Sequence, residues 1–321
     1  GQVLSFQDRS RLSYLLIVIS SSLLIIVRLV YFVLIMRKVQ TGQVIEFYSN
    51  SCLVKTSFGK FACIAIKNIV VGDFVELEII QDSKKLLGKI LKVNNRISKL
   101  SKRDGNKEKL FAANISHVGI LIAPNPKTTT EFIDKWILKA RFSNIETFLV
   151  NNKIDIAEDK EYAQKLNIYK NINLKVINCS AKHGDNIEEL LDFLKEKSVL
   201  FIGNSGSGKS TLTSRIIGKK LKTKELSNNQ GVHTTSISSL YELENGAKII
   251  DSPGMRDIDL TEYAKDEMIY GFKEILRLSE GCKFNDCNHI NNDGCNITKC
   301  LADSVINKSR YNNFIKFRDG E

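Results

Sequence analysis

The octapeptide Gly203-Asn204-Ser205-Gly206-Ser207-Gly208-Lys209-Ser210 constrains this chain more than any other stretch. It fits G-x-x-x-x-G-K-[ST] in full, follows the apolar run SVLFIG (198–203) and opens into STLTSRII. A strand that passes into a helix through such a loop gathers backbone N–H groups on one point, where the positive end of the helix adds to them. The motif reads as a phosphate cradle over residues 203–211, closing with Thr211. Lys209 is placed to neutralise the distal phosphates and the Ser210 hydroxyl to face Mg²⁺. Such a loop belongs in an α/β layer with a mainly parallel sheet, where ligands meet the carboxyl ends of strands.

The flanking sequence supplies that layer. HVGILIA (117–123), ETFLV (146–150), LKVINCSAK (174–182) and AKIIDSPG (247–254) read as further buried strands. TEFIDKWILKARFSN (130–144) has helical spacing at Phe132, Ile133, Trp136, Ile137 and Ala140, and NIEELLDFLKEK (186–197) reads as a second helix. Three more motifs fall at strand ends. Asp251-Ser252-Pro253-Gly254 fits D-x-x-G. Asp251 can hold Mg²⁺ through water, and the Gly254 N–H can meet a γ-phosphate. Asn152-Lys153-Ile154-Asp155 fits N-K-x-D. Its Asp155 carboxylate can accept from guanine N1–H and N2–H, a pair of donors that adenine lacks, which disfavours an ATPase. Lys153 is expected over the ring, bracing the phosphate loop. Ser180-Ala181-Lys182 completes the set, with the Ala181 N–H aimed at guanine O6.

The order is therefore base-reading loop, S-A-K, phosphate loop, D-x-x-G, a circular permutation of the usual GTPase order. Loops on a sheet tolerate such a change when the new termini lie at the surface. Between the phosphate loop and Asp251, Thr234 and Thr235 are candidates to contact Mg²⁺ and sense the γ-phosphate. His233 beside them is open between a catalytic, a partner-binding and a local structural role. Met255 stands where many GTPases carry the glutamine that orients water, so slow intrinsic hydrolysis is expected.

Residues 42–95 read as five short strands: QVIEFYS, CLVKTS, KFACIAI, DFVELEII and GKILKV, separated by turn material. The pattern suits an OB-type barrel, and by strand count alone an SH3-like barrel equally. SKLSKRDGNKEK (98–109) reads as a polar linker, mobile when free. Of the net charge of +11, residues 37–110 hold +8, with 15 Lys and Arg against 7 Asp and Glu. A basic segment of this density points to a polyanionic partner or to a solvated basic face.

Cys282-x4-Cys287-x-His289-x5-Cys295 offers three thiolates and an imidazole in a polar, turn-rich stretch, a donor set for one structural Zn²⁺. Cys300 is a substitute ligand that the set does not need. Cys52, Cys63 and Cys179 are isolated and read as buried small hydrophobes in a reduced compartment. Residues 12–36 carry one charge, Arg28. As a helix they would span roughly 37 Å, enough for a bilayer. The chain opens on Gly1, and Met36 directly precedes RKVQTGQVIEF, so residues 1–35 are read as an upstream extension or a mispredicted start in preference to a working membrane anchor.

The expected fold is multidomain. It comprises an apolar extension (1–36), an OB-fold β-barrel (37–98), a basic linker (99–110), a circularly permuted α/β P-loop GTPase domain (111–275) and a small zinc-binding α-helical C-terminal domain (276–321). The permuted order, the preceding barrel and the cysteine cluster resemble the ribosome small subunit-dependent GTPase A (RsgA, YjeQ) family. The resemblance covers about residues 37–316. It rests on AANI (112–115), NNKID, CSAK, GNSGSGKST, GVHTT, DSPGMR, GCKFNDCNH and SRYNNF (309–314). It implies a GTPase of late small-subunit maturation, stimulated by the ribosomal subunit, that uses GTP/GDP and Mg²⁺, carries zinc and binds rRNA. It also implies a hydrophobic residue after D-x-x-G, as Met255 is. Ser236 stands where the family commonly has a third threonine, the tail after Cys295 is short, and residues 1–35 have no counterpart. A cytoplasmic monomer is expected, with membrane association only if residues 12–36 act as an anchor. The rival readings are a membrane-tethered regulatory GTPase and an RNA-binding module with little turnover.

Overall fold

The computed structural model describes residues 39–81, 86–104, 107–218, 238–251, 258, 260–290 and 292–320. The apolar stretch 12–36, His233, Thr234, Thr235, Ser236, Gly254 and Met255 lie outside them. No helix among the described residues is long and apolar enough to cross a membrane.

Five strands come first: β1 (Gln40–Phe47), β2 (Ser51–Thr56), β3 (Gly59–Ile64), β4 (Phe74–Gln81) and β5 (Leu86–Val93). Side chains alternate across each strand. In β2, Cys52, Val54 and Thr56 are buried while Ser51 and Lys55 face water. The strands run in the order β1-β2-β3-β5-β4, and β4 returns to β1 through Gln40 opposite Leu77 and Gln43 opposite Phe74. This closure makes the OB-like barrel, with Val44, Val54, Phe61, Val75, Leu77 and Ile90 inside. Cys52 and Cys63, isolated in sequence, face each other across β2 and β3 as free, buried thiols.

β1 belongs to two bodies. Its register slips between Val44 and Glu46, so Ile45 is an extra residue, and a bulge of this kind bends and twists the strand. Val44 lies in the barrel core and Ile45 in the core of the next domain. Past the bulge, Glu46 and Phe47 pair with Ser239 and Ser238 of a later strand.

The segment read as a mobile linker is paired. Strands β6 (Lys99–Asp104) and β7 (Lys107–Ala113) form an antiparallel hairpin. Leu100 and Ala112 are buried in the neighbouring core, which anchors an otherwise charged ribbon. The Ala113 N–H donates to Val71 O at 3.1 Å. This approach requires Gly72, whose φ is +92° and where a Cβ would sit 2.1 Å from Ala113 O.

The α/β domain follows. Its strands are β8 (His117–Ile122), β9 (Glu146–Asn152), β10 (Val176–Cys179), β11 (Ser198–Gly203), β12 (Ser238–Glu242) and β13 (Lys248–Asp251). They lie in the order β10-β9-β8-β11-β13-β12, parallel except for β12 against β13. β12 then meets β1, so among the described residues barrel and domain share a continuous sheet of eleven strands. Helices α1 (Thr130–Phe142) and α2 (Lys160–Asn171) cover one face, and α3 (Ile187–Leu194) and α4 (Lys209–Ile216) the other. The central strands feed both cores by alternation: Leu200 and Ile202 meet Trp136 and Tyr162, while Val199 and Phe201 meet Leu190 and Leu212. Each fully buried large apolar side chain contributes about 1.5–3 kcal/mol.

The C-terminal part is helical: a 3₁₀ turn at Lys265–Gly271, then α5 (Lys273–Ser279), α6 (Asn296–Ala302) and α7 (Lys308–Asp319). It packs on α1 through Leu138 against Phe272, Phe314 and Phe317. A polar knot sits within that contact. Asp134 of α1 accepts from Arg310 Nη1 at 2.6 Å, Asn313 Nδ2 at 2.6 Å and Tyr169 Oη at 2.9 Å. Arg310 also reaches Glu274 at 2.7 Å. Burial pushes the Asp134 carboxyl up, and the guanidinium and amide donors oppose that rise. With Arg310 removed, a carboxylate would remain in the interior without its counter-ion. Arg310→Ala is therefore expected to cost about 3–5 kcal/mol in denaturant unfolding, and a loss below about 1 kcal/mol would show that α7 is not held by this pair.

Candidate functional site: four loops at one edge of the sheet

The parallel strands end together, and the sequence motifs end with them. β11 stops at Gly203 and α4 starts at Lys209, so the phosphate-loop candidate is the bare turn between them. Gly206 and Gly208 hold φ of +81° and +94°. A Cβ on Gly208 would stand 2.2 Å from Asn152 Nδ2, so this position accepts no side chain. The result is a concave backbone surface at the N-terminus of α4, whose lack of side chains at these glycines suits phosphate oxygens. Ser205 and Ser207 lie in this turn, and Ser210 and Thr211 in the first turn of α4.

Asn152 ends β9 with its side chain buried. Its Nδ2 donates to Ser207 O at 2.8 Å, and its Oδ1 accepts from Ala181 N at 2.9 Å. One carboxamide thus ties the phosphate loop to the loop that follows β10. The Lys153 Nζ donates to Asn125 O at 2.8 Å, and its Cε lies 4.0 Å from a Cβ built on Gly208, beside the phosphate loop. The Ala181 N–H, expected to face a base, is taken here by Asn152.

Asp155 stands beside that loop. Its Oδ1 accepts from Ser180 Oγ at 2.6 Å, and Ser180 Oγ also accepts from His183 N at 3.2 Å. His183 Nε2 lies 3.7 Å from Asp155 Oδ2. The Ser180 hydroxyl above all, helped by the charges of His183 and Lys182, holds the Asp155 carboxyl below its ordinary value. It is an ionised acceptor at neutral pH, the state needed to meet two N–H donors. Cys179 lies beneath, its thiol pushed up to about 12 by burial and so inert.

Asp251 ends β13, next but one to β8 across β11. The structure thus brings Asn152, Asp155, Ser180, Gly203 to Thr211 and Asp251 to the carboxyl ends of adjacent strands. Two parts of the site were missed in the sequence. The loop after β8 enters it, with Asn125 accepting from Lys153 and Pro126 lying 3.4 Å from a Cβ built on Gly206. The general rule for strand ends in parallel sheets could have found it, because β8 neighbours β11. Arg215 of α4 is the second: it donates to Ala181 O at 2.5 Å and Lys182 O at 2.6 Å, and no motif marks it.

A second cluster lies in the C-terminal part. The ligand atoms of Cys282, Cys287, His289 and Cys295 all fall within 4.8 Å of one another. His289 Nδ1 is 3.6 Å from Cys282 Sγ and 3.9 Å from Cys295 Sγ. Tetrahedral Zn²⁺ with bonds of about 2.0–2.3 Å has edges of about 3.3–3.8 Å, so the donor set fits that ion and the pairs made by His289 stand near its spacing. Cys300 is packed in the apolar core and is outside the cluster. The Tyr311 hydroxyl donates to His289 O at 2.8 Å, fixing the turn that carries the imidazole.

Known proteins place this architecture. Residues 93–261 match the sequence profile of the RsgA GTPase family. A protein of Flavobacterium psychrophilum named small ribosomal subunit biogenesis GTPase RsgA is 36% identical over 88% of this chain and 89% of its own length. Its namesake in Flavobacterium johnsoniae is 33% identical over 82% of this chain and 85% of its own. The crystal structure of YjeQ from Thermotoga maritima superposes with a TM-score of 0.69 at 28% identity, covering 88% of this chain and 98% of that one. YloQ, described as a circularly permuted GTPase, shares the fold with a TM-score of 0.66 at 20% identity, covering 88% and 95%. On sequence and on structure, the chain belongs to the RsgA GTPase family.

Proposed function

We propose that this chain is a GTP hydrolase that binds the small ribosomal subunit and acts in its late maturation. The observation that carries the reading is the Asn152 carboxamide, which holds a phosphate-loop candidate and a base-loop candidate at a fixed span. A glycine cradle alone would accept many phosphates. Joined to an ionised Asp155 and the 180–182 loop, it fits a guanine nucleotide.

In this reading residues 203–211 receive the phosphates, with Lys209 on the distal charges. Asn152, Lys153, Asp155, Ser180, Ala181 and Lys182 form the base side. Ser210 and Asp251 would hold Mg²⁺, which neutralises developing phosphate charge when bound. Thr234, Thr235 and Gly254 are assigned to γ-phosphate sensing on sequence alone. Met255 cannot orient water, so the group that does so comes from elsewhere in the chain or from the ribosomal partner. Cys282, Cys287, His289 and Cys295 would bind one structural Zn²⁺, supplying folding energy to a segment poor in apolar side chains. The barrel, the GTPase domain and the zinc-binding part act as three units. The basic 37–110 segment is assigned to rRNA, with the chain working as a cytoplasmic monomer. Its grip on rRNA should then weaken steeply with salt.

Three measurements test this. GTP turnover by the purified chain is expected to be slow and to rise by about tenfold or more with small ribosomal subunits, as partner-completed GTPase sites do. Lys209→Ala should abolish it while RNA binding persists; unstimulated rapid turnover, or full activity in Lys209→Ala, overturns the assignment. Asp155→Asn should lower GTP affinity by roughly a hundredfold and shift preference toward xanthosine triphosphate, because the carboxamide keeps one acceptor for N1–H but turns a donor toward N2–H, where xanthine offers an oxygen. An unchanged base preference removes Asp155 from that role. Elemental analysis should find about one zinc per chain, lost in Cys287→Ala; a metal-free wild type removes the zinc claim.

A further inference from the structure

The geometry points to Arg215 as a positioning residue that sets how the 180–182 loop meets a guanine base. Arg215 lies on α4, the helix that the phosphate loop opens. Its Nε donates to Ala181 O at 2.5 Å and its Nη2 to Lys182 O at 2.6 Å. Two parallel N–H groups of one rigid guanidinium thus grip two successive carbonyls.

The loop is shaped around this grip. Gly184 has φ of +96°, and a Cβ there would stand 3.0 Å from Arg215 Nη1. The Gly184 N–H returns to Ser180 O at 2.7 Å, closing the turn over the guanidinium. The loop needs an anchor, because β10 before it is a four-residue strand that, among the described residues, lies at the sheet edge and pairs only with β9. Asn152 holds one end of the loop through Ala181 N, and Arg215 holds the other face through the carbonyls.

The grip has a consequence for hydrogen bonding. A trans peptide places its C=O and N–H on opposite sides. With Ala181 O held toward Arg215, the Lys182 N–H of the same peptide is turned to the opposite face of the loop. That N–H has no hydrogen-bond partner among the described residues, whereas the Ala181 N–H is already taken by Asn152 Oδ1. The inference is that the Lys182 N–H is the donor for guanine O6 and that Arg215 aims it. Because Arg215 rides on the phosphate-loop helix, it also fixes the distance between base and phosphates. This rests on the guanine-nucleotide reading of the site.

The test pairs a side-chain deletion with a ligand deletion. GDP and 6-thioguanosine 5′-diphosphate, which keeps N1–H and N2–H for Asp155 but puts a weakly accepting sulfur in place of O6, are titrated into wild type, Arg215→Ala and Arg215→Lys by calorimetry, with thermal melts as a folding control. Wild type is expected to prefer GDP by about 10–100-fold, the range for a site left with an unpaired donor. Arg215→Ala should weaken GDP by about tenfold and bring the preference to about twofold. Arg215→Lys keeps the charge but can reach only one carbonyl, and should fall between; it carries the test should the alanine variant not fold. If both diphosphates weaken by one factor, or neither weakens, the positioning role is overturned while guanine reading stands. If wild type itself binds the two equally, reading of O6 by this loop fails, and this inference fails with it.

Discussion

The candidate site is organised around one buried amide. The Asn152 side chain is 1% exposed and spends its donor on the phosphate loop and its acceptor on the 180–182 loop. Unpaired, such a group would cost about 1–3 kcal/mol, so the two loops hold the amide as firmly as it holds them. Gly208 is bound to the same requirement, since any side chain there would collide with Asn152 Nδ2. Two motifs written fifty residues apart are thus one object in three dimensions. Their order along the chain is immaterial to that object, which is why a permuted sequence can build it.

The rest of the molecule is fastened to this object by two joints of different kinds. The barrel shares β1 with the central sheet, and the bulge at Ile45 lets successive residues of one strand serve two cores. The C-terminal helices are locked to α1 by the Asp134, Arg310 and Asn313 knot. The buried Lys139 of α1 adds a second tie, bonded to Glu262 and 5.1 Å from the centre of the Tyr263 ring. α1 itself begins directly after the loop whose Asn125 receives Lys153, with Thr129 as its N-cap. The C-terminal helices and the loop that receives Lys153 are therefore both attached to α1.

Residue patterns made much of this legible. Continuous apolar runs marked β8, β9 and β11 because strands covered on both faces have no polar side to show. Glycine spacing marked the phosphate loop because only glycine fits its backbone. The Cys and His spacing marked a donor set, and the ligand atoms do converge. The hairpin β6–β7 was read as a linker because its strands are largely charged and few positions, Leu100, Ser101, Ala112 and Ala113, lie on a buried side. Helix α7 carries Arg310 and Asn313 in its buried face, a weak signal for any rule that expects apolar residues there.

Sequence by itself determined the chemistry: which residues can cradle phosphate, accept from a base, hold a cation or ligate zinc. Those capacities follow from local covalent structure and short spacings. Tertiary structure decided the partners. Lys153 bonds Asn125 beside the phosphate loop, and Asn152 ties that loop to the 180–182 loop. Ala181 was given to a base but bonds Asn152, while Arg215, marked by no motif, holds the loop from behind. The physical reason is that a hydrogen bond between loops depends on distances set by strand order and packing, and strand order in a sheet is not written in the spacing of any one motif.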